Sequence, residues 1–309
     1  MIKQFKQRNV TWIDIESPTK DDIANLITTY NLHSLVGNEL IAPSHESHVD
    51  VYERYLYLVL HFPTCEICYT PNQKEKQDTQ ELNIILGRDF LITIHYEPLQ
   101  TLEDFSRIFE AQAKIGDNRT EFHAGYLFHH IMREMYASLE VGMDFVNTDL
   151  KRVEKKVFEG KEKEMVVALA DINRNLLDFR WALKPHMKIL DSLDSVVGDF
   201  FDHKFNHYIR SIIGQYNQVW EMLESNREMF KEIKQTNDSL LTIKTNEIMK
   251  ILTIMAFTTL PLSLFTSIFG MNTINTPIIG STNDFWIIVT IMLVAVCLMF
   301  IFFKNRRWL

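Results

Sequence analysis

The hydrophobic pattern of the chain is uneven, and its most apolar parts are two runs near the C-terminal end. Residues 251–269 and residues 285–303 contain no Asp, Glu, Lys or Arg. A helix needs about 20 predominantly apolar residues to cross the hydrocarbon core of a bilayer. We therefore predict two transmembrane segments, residues 251–272 and residues 285–303, joined by a short loop of residues 273–284.

The two runs differ in polarity. The first contains six Ser or Thr residues and has Pro261 near its centre, whereas the second contains only Thr290 and Cys297 as mildly polar residues. Small and hydroxyl-bearing residues in a membrane helix are typical of a surface that packs on other helices or contacts water. We expect the first segment to line a wet path or a helix interface, and the second to face lipid.

Alternating apolar and polar positions near the N-terminus predict short β-strands. They cover residues 10–15, 54–62, 81–86 and 89–95. Between the first two strands, Ser17 is expected to cap a helix whose first residue is Pro18, because proline fits the first helical position. These elements predict an α/β domain over residues 1–120.

A helical period replaces the strand pattern in the middle of the chain. Residues 122–158 and 162–183 are predicted to form two long amphipathic helices, an antiparallel pair within residues 121–198. Pro185 and Gly198 are expected to break the helical structure after this pair.

Residues 199–250 are predicted to form a stalk helix that continues into the first membrane segment. Neither Gly nor Pro occurs between Gly214 and Pro261, so one helix can run through the whole interval. Apolar residues recur along it by threes and fours, as in a coiled coil, and Asn226 and Asn237 interrupt the seam. Polar residues at such positions fix the register or the number of helices, or admit water.

Positive charge flanks both membrane segments on the same side. Lys250 precedes the first segment, and the loop that joins the two contains no Lys or Arg. The tail of residues 304–309 supplies the other cations, which are Lys304, Arg306 and Arg307. The positive-inside rule then predicts cytoplasmic termini and an external loop, with Asn272 at the outer mouth.

The composition argues against several classes of function. The chain has 309 residues and a net charge of −8, whereas nucleic-acid binding needs a basic surface. Cys65 and Cys68 have the spacing of a metal or redox pair, but no second pair accompanies them, so we expect neither role. The sequence has no nucleophile triad, phosphate-binding loop or dinucleotide-binding glycine pattern, and we expect that the protein is not an enzyme.

Several segments around the first membrane run form a recognisable set. They are residues 245–254, Pro261 with Leu262, the motif Gly270-Met271-Asn272 after Phe269, and the basic tail. This set resembles the CorA-type divalent-cation transporters, which belong to the two-transmembrane Gly-x-Asn superfamily. The resemblance implies a membrane protein with both α and β structure: a cytoplasmic α/β domain, long stalk helices and two C-terminal transmembrane helices in a homo-pentameric funnel. It also implies transport of Mg²⁺, with Co²⁺ and Ni²⁺, across the inner (plasma) membrane.

A pore requires several copies of the chain, because two helices cannot enclose a water-filled path. Stepping by threes and fours along the first segment gives one uncharged side, which we term the pore face. It consists of Asn246, Met249, Leu252, Ala256, Leu260, Ser263 and Ser267. Amide and hydroxyl groups on this face can contact a hydrated ion, and its apolar rings can form a dewetting gate.

Ion selection is predicted at Gly270, Met271 and Asn272. Mg²⁺ sheds water reluctantly, so a ring of Asn272 side-chain oxygens could accept hydrogen bonds from its waters and serve as the metal contact. Neither membrane segment contains Asp, Glu, His or Lys, which argues against a proton relay. We expect no cofactor beyond the transported cation, and the expected partners are further copies of the chain and the lipid bilayer.

Two departures from the family pattern leave alternatives open. The loop after Asn272 lacks the acidic residues common in the family, and Asp284 is the only acid near it. Residues 210–215 lack the acids that contribute to the family's regulatory metal site, so gating by Mg²⁺ is in doubt. A zinc transporter of the same superfamily is one alternative. A non-conducting membrane-anchored oligomeric scaffold is another, because Ser and Thr also pack membrane helices.

Overall fold

The computed structural model describes residues 2–44, 46–64, 79–115, 123–271, 278 and 283–305, without the side chains of residues 111–115. It divides into two units, Met1–Lys234 and Gln235–Leu309. Several residues singled out above lie outside the described part of the chain, namely Cys65, Cys68, Asn272, Arg306 and Arg307.

A six-stranded sheet forms the centre of the first unit, in the order β1-β2-β6-β5-β4-β3. The strands are β1 (Ile2–Gln7), β2 (Val10–Glu16), β3 (His48–Val51), β4 (Tyr55–Pro63), β5 (Thr79–Gly87) and β6 (Phe90–His95). Only β2 and β6 pair in parallel, and all other neighbours are antiparallel. The alternating pattern predicted β2, β4, β5 and β6. It did not predict β1 and β3, which are the two edge strands and bury at most one residue each.

Helices cover both faces of the sheet. On one face, α1 (Lys20–Tyr30) and α2 (Ser34–Glu39) bury Ile23, Leu26 and Val36 against alternate residues of the strands. On the other face, α3 (Gln100–Ile115) packs Phe105 and Phe109 against Trp12. This layered packing is the predicted α/β domain.

Helix α1 begins after Thr19, so the predicted cap at Ser17 with Pro18 as the first helical residue is wrong. The Thr19 hydroxyl accepts a hydrogen bond from the Asp22 amide at 3.2 Å, and the Asp22 carboxylate accepts one from the Thr19 amide at 2.9 Å. This reciprocal pair satisfies two backbone donors at the helix start. Ser17 instead has a φ of 50°, and its hydroxyl donates to the Tyr96 carbonyl at 2.7 Å.

Two long helices follow, α4 (Ala124–Phe158) and α5 (Glu162–Leu183), as the helical period predicted. Gly160 ends α4 with a φ of 89°, a conformation that favours glycine. Its amide donates to the Val157 carbonyl at 3.2 Å, and the Lys161 amide donates to the Lys156 carbonyl at 3.1 Å. These bonds satisfy the last carbonyls of α4 and let α5 return along it.

Of the two breaks expected after this pair, the one at Pro185 is confirmed and the one at Gly198 is wrong. Pro185 separates α5 from α6 (His186–Phe200), as expected. Gly198 does not break the chain, since α6 continues past it. A Cβ atom at Gly198 would lie 2.9 Å from the His203 Nδ1 atom, so close packing accounts for the glycine.

Helix α7 (Asn206–Phe269) follows a 3-10 turn (His203–Phe205) and confirms the prediction of one helix through residues 215–260. Helix α8 is Asp284–Asn305, and both helices are long and apolar enough to cross a membrane. Asn226 in α7 is buried; its amide donates to the Met143 carbonyl at 2.9 Å and its oxygen accepts from Asn147 at 2.8 Å. This polar residue of the seam therefore sets the register of α7 against α4 within one chain.

Candidate functional site: the pore face of α7

The pore face occupies the open side of α7. All seven of its residues are exposed, with Leu260 at 69% and Met249 at 57%. Apart from Thr253, the partly covered positions between residues 251 and 269 are Ile254, Thr258, Pro261, Leu262 and Phe269. At 3.6 residues per turn, these positions lie on the side of the helix opposite the pore face. In the described part of the chain the pore face is therefore exposed and can contact another molecule.

The threonines of this segment are held by the helix backbone. The hydroxyl groups of Thr253 and Thr258 donate to the carbonyls of Met249 and Ile254, each at 2.7 Å. Since their hydrogens are directed into the helix, these hydroxyls present oxygen lone pairs outward. Oxygen acceptors suit the waters around a cation, whose hydrogens point away from the ion.

Pro261 creates one further backbone acceptor in the same segment. Proline has no amide hydrogen, so the Phe257 carbonyl four residues earlier loses its usual helical donor. Helix α7 nevertheless continues to Phe269. A carbonyl released in this way inside a membrane needs a partner from water, a ligand or a neighbouring helix. The proline is evident in the sequence, but a role for the Phe257 carbonyl was not predicted from it.

The end of α7 brings its backbone into a tight final turn. The Gly270 amide donates to the Thr266 carbonyl at 2.9 Å, and the Met271 amide donates to the Ile268 carbonyl at 3.3 Å. A Cβ atom on Gly270 would lie 3.1 Å from the Thr266 carbonyl oxygen, which explains the small residue here. Asn272 lies outside the described residues, so its role as the metal contact stays a prediction.

Helix α8 has the polarity of a simple membrane span. Apolar side chains are exposed along its length, including Leu293, Leu298 and Phe302. Its charges are confined to the ends: Asp284 accepts a hydrogen bond from the amide of the next residue at 2.7 Å, and Lys304 lies in the last turn. Both charges complement the helix dipole. The other two cations of the tail, Arg306 and Arg307, lie outside the described residues.

Among the described residues there is no group of three or more His, Cys, Asp or Glu side chains that could hold a metal ion. The first unit instead contains a buried histidine network, which the sequence analysis missed. His186 donates through Nε2 to the His61 carbonyl at 3.0 Å and accepts at Nδ1 from the Tyr136 hydroxyl at 3.0 Å. Burial lowers the pKa of His186 to about 3, so its ring is neutral and its role is to join α6, β4 and α4.

The pKa of His61 shifts in the opposite direction to that of His186. Burial lowers its pKa, but hydrogen bonds to the Glu81 carboxylate and the Ser44 carbonyl outweigh burial and raise the pKa above its ordinary value. Its ring also contacts the Ser47 hydroxyl at 2.7 Å. His61 therefore holds the segment before β3 against the sheet and is not poised for chemistry.

Known proteins resemble the chain over almost its whole length. A family model described as CorA-like Mg²⁺ transporter protein matches residues 7–306. The cobalt/magnesium transport protein CorA of Thermotoga maritima is 24% identical over 304 residues, covering 97% of this chain and 83% of that protein. The protein of the same description from Methanocaldococcus jannaschii is 22% identical over 312 residues, covering 99% and 93%.

Two solved structures share the fold. The complete structure of the CorA magnesium transporter from Methanocaldococcus jannaschii superposes with a TM-score of 0.82 at 20% identity, over 99% of this chain and 93% of that chain. The full-length CmaX protein superposes with a TM-score of 0.72 at 18% identity, over 97% and 89%. These matches confirm the predicted fold class, an α/β domain with a long helix and two C-terminal membrane helices. The oligomeric state stays a prediction.

Proposed function

Because the chain belongs to the CorA-like Mg²⁺ transporter family, we propose that it conducts divalent cations across a membrane. Mg²⁺ is the main proposed substrate, and Co²⁺ and Ni²⁺ are also transported. Members of this family are channel-type transporters, so the chain is not an enzyme. The proposed location is the inner (plasma) membrane, with both termini in the cytoplasm, because the flanking cations lie on one side of the two spans.

The observation that carries this proposal is the open pore face of α7. It is uncharged, it bears amide and hydroxyl groups, and it lies opposite the partly covered side of the helix. Asn246, Ser263 and Ser267 give this side of α7 hydrogen-bonding groups that contact with lipid alone does not require, whereas helix α8 has the apolar surface that lipid requires.

The pore face can form a channel only in a ring of identical chains. One copy supplies a single polar stripe, and a closed water-filled path needs several such stripes around one axis. We propose a homo-pentamer, the number that the resemblance implies. In that ring each position of the pore face recurs once per copy, so that Leu260 forms an apolar constriction and Ser263 a ring of hydroxyls.

Selection is proposed at the external mouth, where Asn272 follows the last turn of α7. A Mg²⁺ ion that keeps its inner waters presents hydrogens outward, and amide oxygens of several Asn272 side chains can accept them. Farther in, the hydroxyl of Thr253, which lies on the same side of α7 as the pore face, offers a further oxygen acceptor to the same water shell. No carboxylate is required inside the membrane, so the ion is not trapped by a fixed charge.

Uncoupled transport follows from the absence of Asp, Glu, His, Lys and Arg in the two spans. Without a residue that can exchange protons, coupling to a proton gradient has no carrier. Downhill conduction remains, driven by concentration and by the membrane potential. For a divalent ion the potential contributes about 4.6 kcal/mol per 100 mV.

Substitution of Asn272 by Ala tests the selectivity ring. We expect Asn272→Ala to abolish Mg²⁺ uptake into proteoliposomes loaded with a Mg²⁺-sensitive dye, while Asn283→Ala, an amide in the same external segment, retains it. Both variants are first checked for the oligomer size of the parent protein in detergent. Unchanged uptake by Asn272→Ala would contradict the ring.

The same assay separates the alternatives. Competition of Co²⁺, Ni²⁺ and Zn²⁺ with Mg²⁺ uptake ranks the ions by preference. A preference for Zn²⁺ over Mg²⁺ would identify the protein as a zinc transporter instead. A dimer that neither conducts nor rescues growth of a bacterium deficient in magnesium transport would favour a scaffold instead.

A further inference from the structure

A polar cleft of about 990 Å³ opens at one end of the sheet in the first unit. The end of α1 forms one wall, and the turns that precede β2, β4 and β6 form the others. Its volume lies at the upper end of the range for small-molecule sites, about 300 to 1,000 Å³. The pore face belongs to the other unit, so transport does not account for this cleft.

Four cationic side chains line the cleft: Lys6 near the end of β1, and Arg8, Arg54 and Arg88 in three different turns. Only two acidic side chains accompany them, so the lining is net positive although the chain as a whole carries −8. A local reversal of sign in an acidic protein attracts anions to that place.

Two of these cations, Lys6 and Arg54, have no ion-pair partner within the described ranges. The Arg88 guanidinium lies over the ring of Phe200 at 5.8 Å from its centroid. Arg8 has a φ of 53°, in a turn where Asn or Gly would be the less strained choice.

The cleft also contains a flat apolar element. The rings of Tyr30 and Phe90 lie 4.7 Å apart at an angle of 46°, and both are partly exposed. Such a pair can stack against a heterocyclic base. The two acids, Glu53 and Asp89, can accept hydrogen bonds from sugar hydroxyls, as acidic residues do in other nucleotide sites.

We propose that this cleft binds a nucleoside di- or triphosphate, with its phosphates on Arg8, Arg54 and Arg88 and its base on Tyr30 and Phe90. The combination of cations, aromatic rings and hydroxyl acceptors in one space matches the three parts of a nucleotide. An inorganic polyphosphate would use only the first of them. The site does not depend on the proposed transport function.

Isothermal titration calorimetry of the full-length protein in detergent tests the proposal. ATP, ADP and inorganic tripolyphosphate are titrated in Mg²⁺-free buffer at about 0.15 M salt, where non-specific charge effects are screened. We expect saturable binding of ATP with a Kd on the order of 10 to 100 µM, and binding of tripolyphosphate at least about fivefold weaker because the base contributes stacking.

Two double variants remove equal charge. We expect Arg54→Gln with Arg88→Gln to weaken ATP binding at least about tenfold, since charge-assisted bonds to phosphate are lost. Lys163→Gln with Lys188→Gln removes two exposed cations outside the cleft and is expected to leave the Kd within about twofold. Circular dichroism checks both folds, and Arg54→Gln alone carries the test if loss of the Arg88 contact perturbs the protein.

Tyr30→Leu tests the aromatic element, and we expect it to weaken ATP but not tripolyphosphate. The absence of saturable binding up to about 5 mM ATP would overturn the site, as would an equal loss in both double variants. Equal affinity for ATP and tripolyphosphate, unaffected by Tyr30→Leu, would overturn the assignment to nucleotides.

Discussion

The two units of the chain differ in how far their side chains are buried and hydrogen-bonded within the chain. In the first unit the sheet strands β4, β5 and β6 are almost wholly buried, and polar groups among them are paired: the Tyr57 hydroxyl donates to Asn83 at 2.9 Å, and the Asn83 amide donates to Glu81 at 2.6 Å. In the second unit, only Asn237 and Phe303 are buried among the described residues, while large apolar side chains along α7 and α8 are exposed.

This difference shows which part of the molecule has a core of its own. The first unit buries a hydrophobic core and pairs polar groups of its sheet within the chain, as a water-soluble domain does. The second unit leaves its apolar surface for lipid and its one polar stripe for something other than lipid. Changes in the first unit should therefore act on stability, and changes on the pore face should act on ion flux.

The strongest test of this comparison is a bulky residue on the pore face. We expect Ala256→Trp to reduce Mg²⁺ flux in proteoliposomes to background, because several indole rings would fill the axis of the proposed ring. Phe265→Trp places the same ring on the other side of α7, where Phe265 is 41% exposed, and is expected to leave flux near that of the parent protein. If the two variants conduct equally, the pore face has been assigned to the wrong side of the helix.

In the first unit the largest expected effect is at His186. His186→Leu leaves the Tyr136 hydroxyl and the His61 carbonyl without their partner, and each unpaired buried group costs about 1 to 3 kcal/mol. We expect the Tm of the full-length protein in detergent to fall by several degrees. His207→Leu, at an exposed position of α7, is the matched control and should change the Tm little. Equal Tm values for the two variants would show that the network is not stabilising.

A smaller effect, dependent on pH, is expected at His61. Because its pKa is raised in the folded state above the ordinary 6.5, its contribution is fully present below pH 6.5 and is lost as pH rises through the raised value. The Tm difference between the parent protein and His61→Gln should therefore shrink as the pH is raised from 6 to 9. A difference that stays constant over this range would contradict the charged pairing with Glu81, and Glu81→Gln should abolish the same pH dependence.

Local pattern was sufficient for much of the fold but not for the contacts between distant segments. The strands β4 to β6 and the helices α4, α5 and α7 were predicted because each repeats a period over many residues. The His186 network was not, since its partners Tyr136 and His61 are 50 and 125 residues away in the chain. No short-range signal in the sequence marks such a contact.

The two candidate sites also differ in how far the sequence alone could predict them. The pore face stays a prediction: its seven positions on one helix follow a single period, and the structure leaves all seven exposed. The cleft at the end of the sheet could not be predicted, because Arg8, Arg54 and Arg88 lie in separate turns that only the strand order brings together.

The cap of α1 gives the smallest expected effect in the first unit. The sequence has two hydroxyl residues, Ser17 and Thr19, on either side of Pro18, and the structure uses Thr19 as the cap. Thr19→Ala removes the acceptor for the Asp22 amide and half of the capping box, and such substitutions cost about 0.5 to 2 kcal/mol. We expect a Tm lower by a few degrees at most. Thr28→Ala is the matched control, because the Thr28 hydroxyl only donates to the Ala24 carbonyl at 2.9 Å within the exposed side of α1 and alanine favours the helix interior. A larger loss for Thr28→Ala than for Thr19→Ala would mean that the helix start is held by its packing on the sheet and not by its cap.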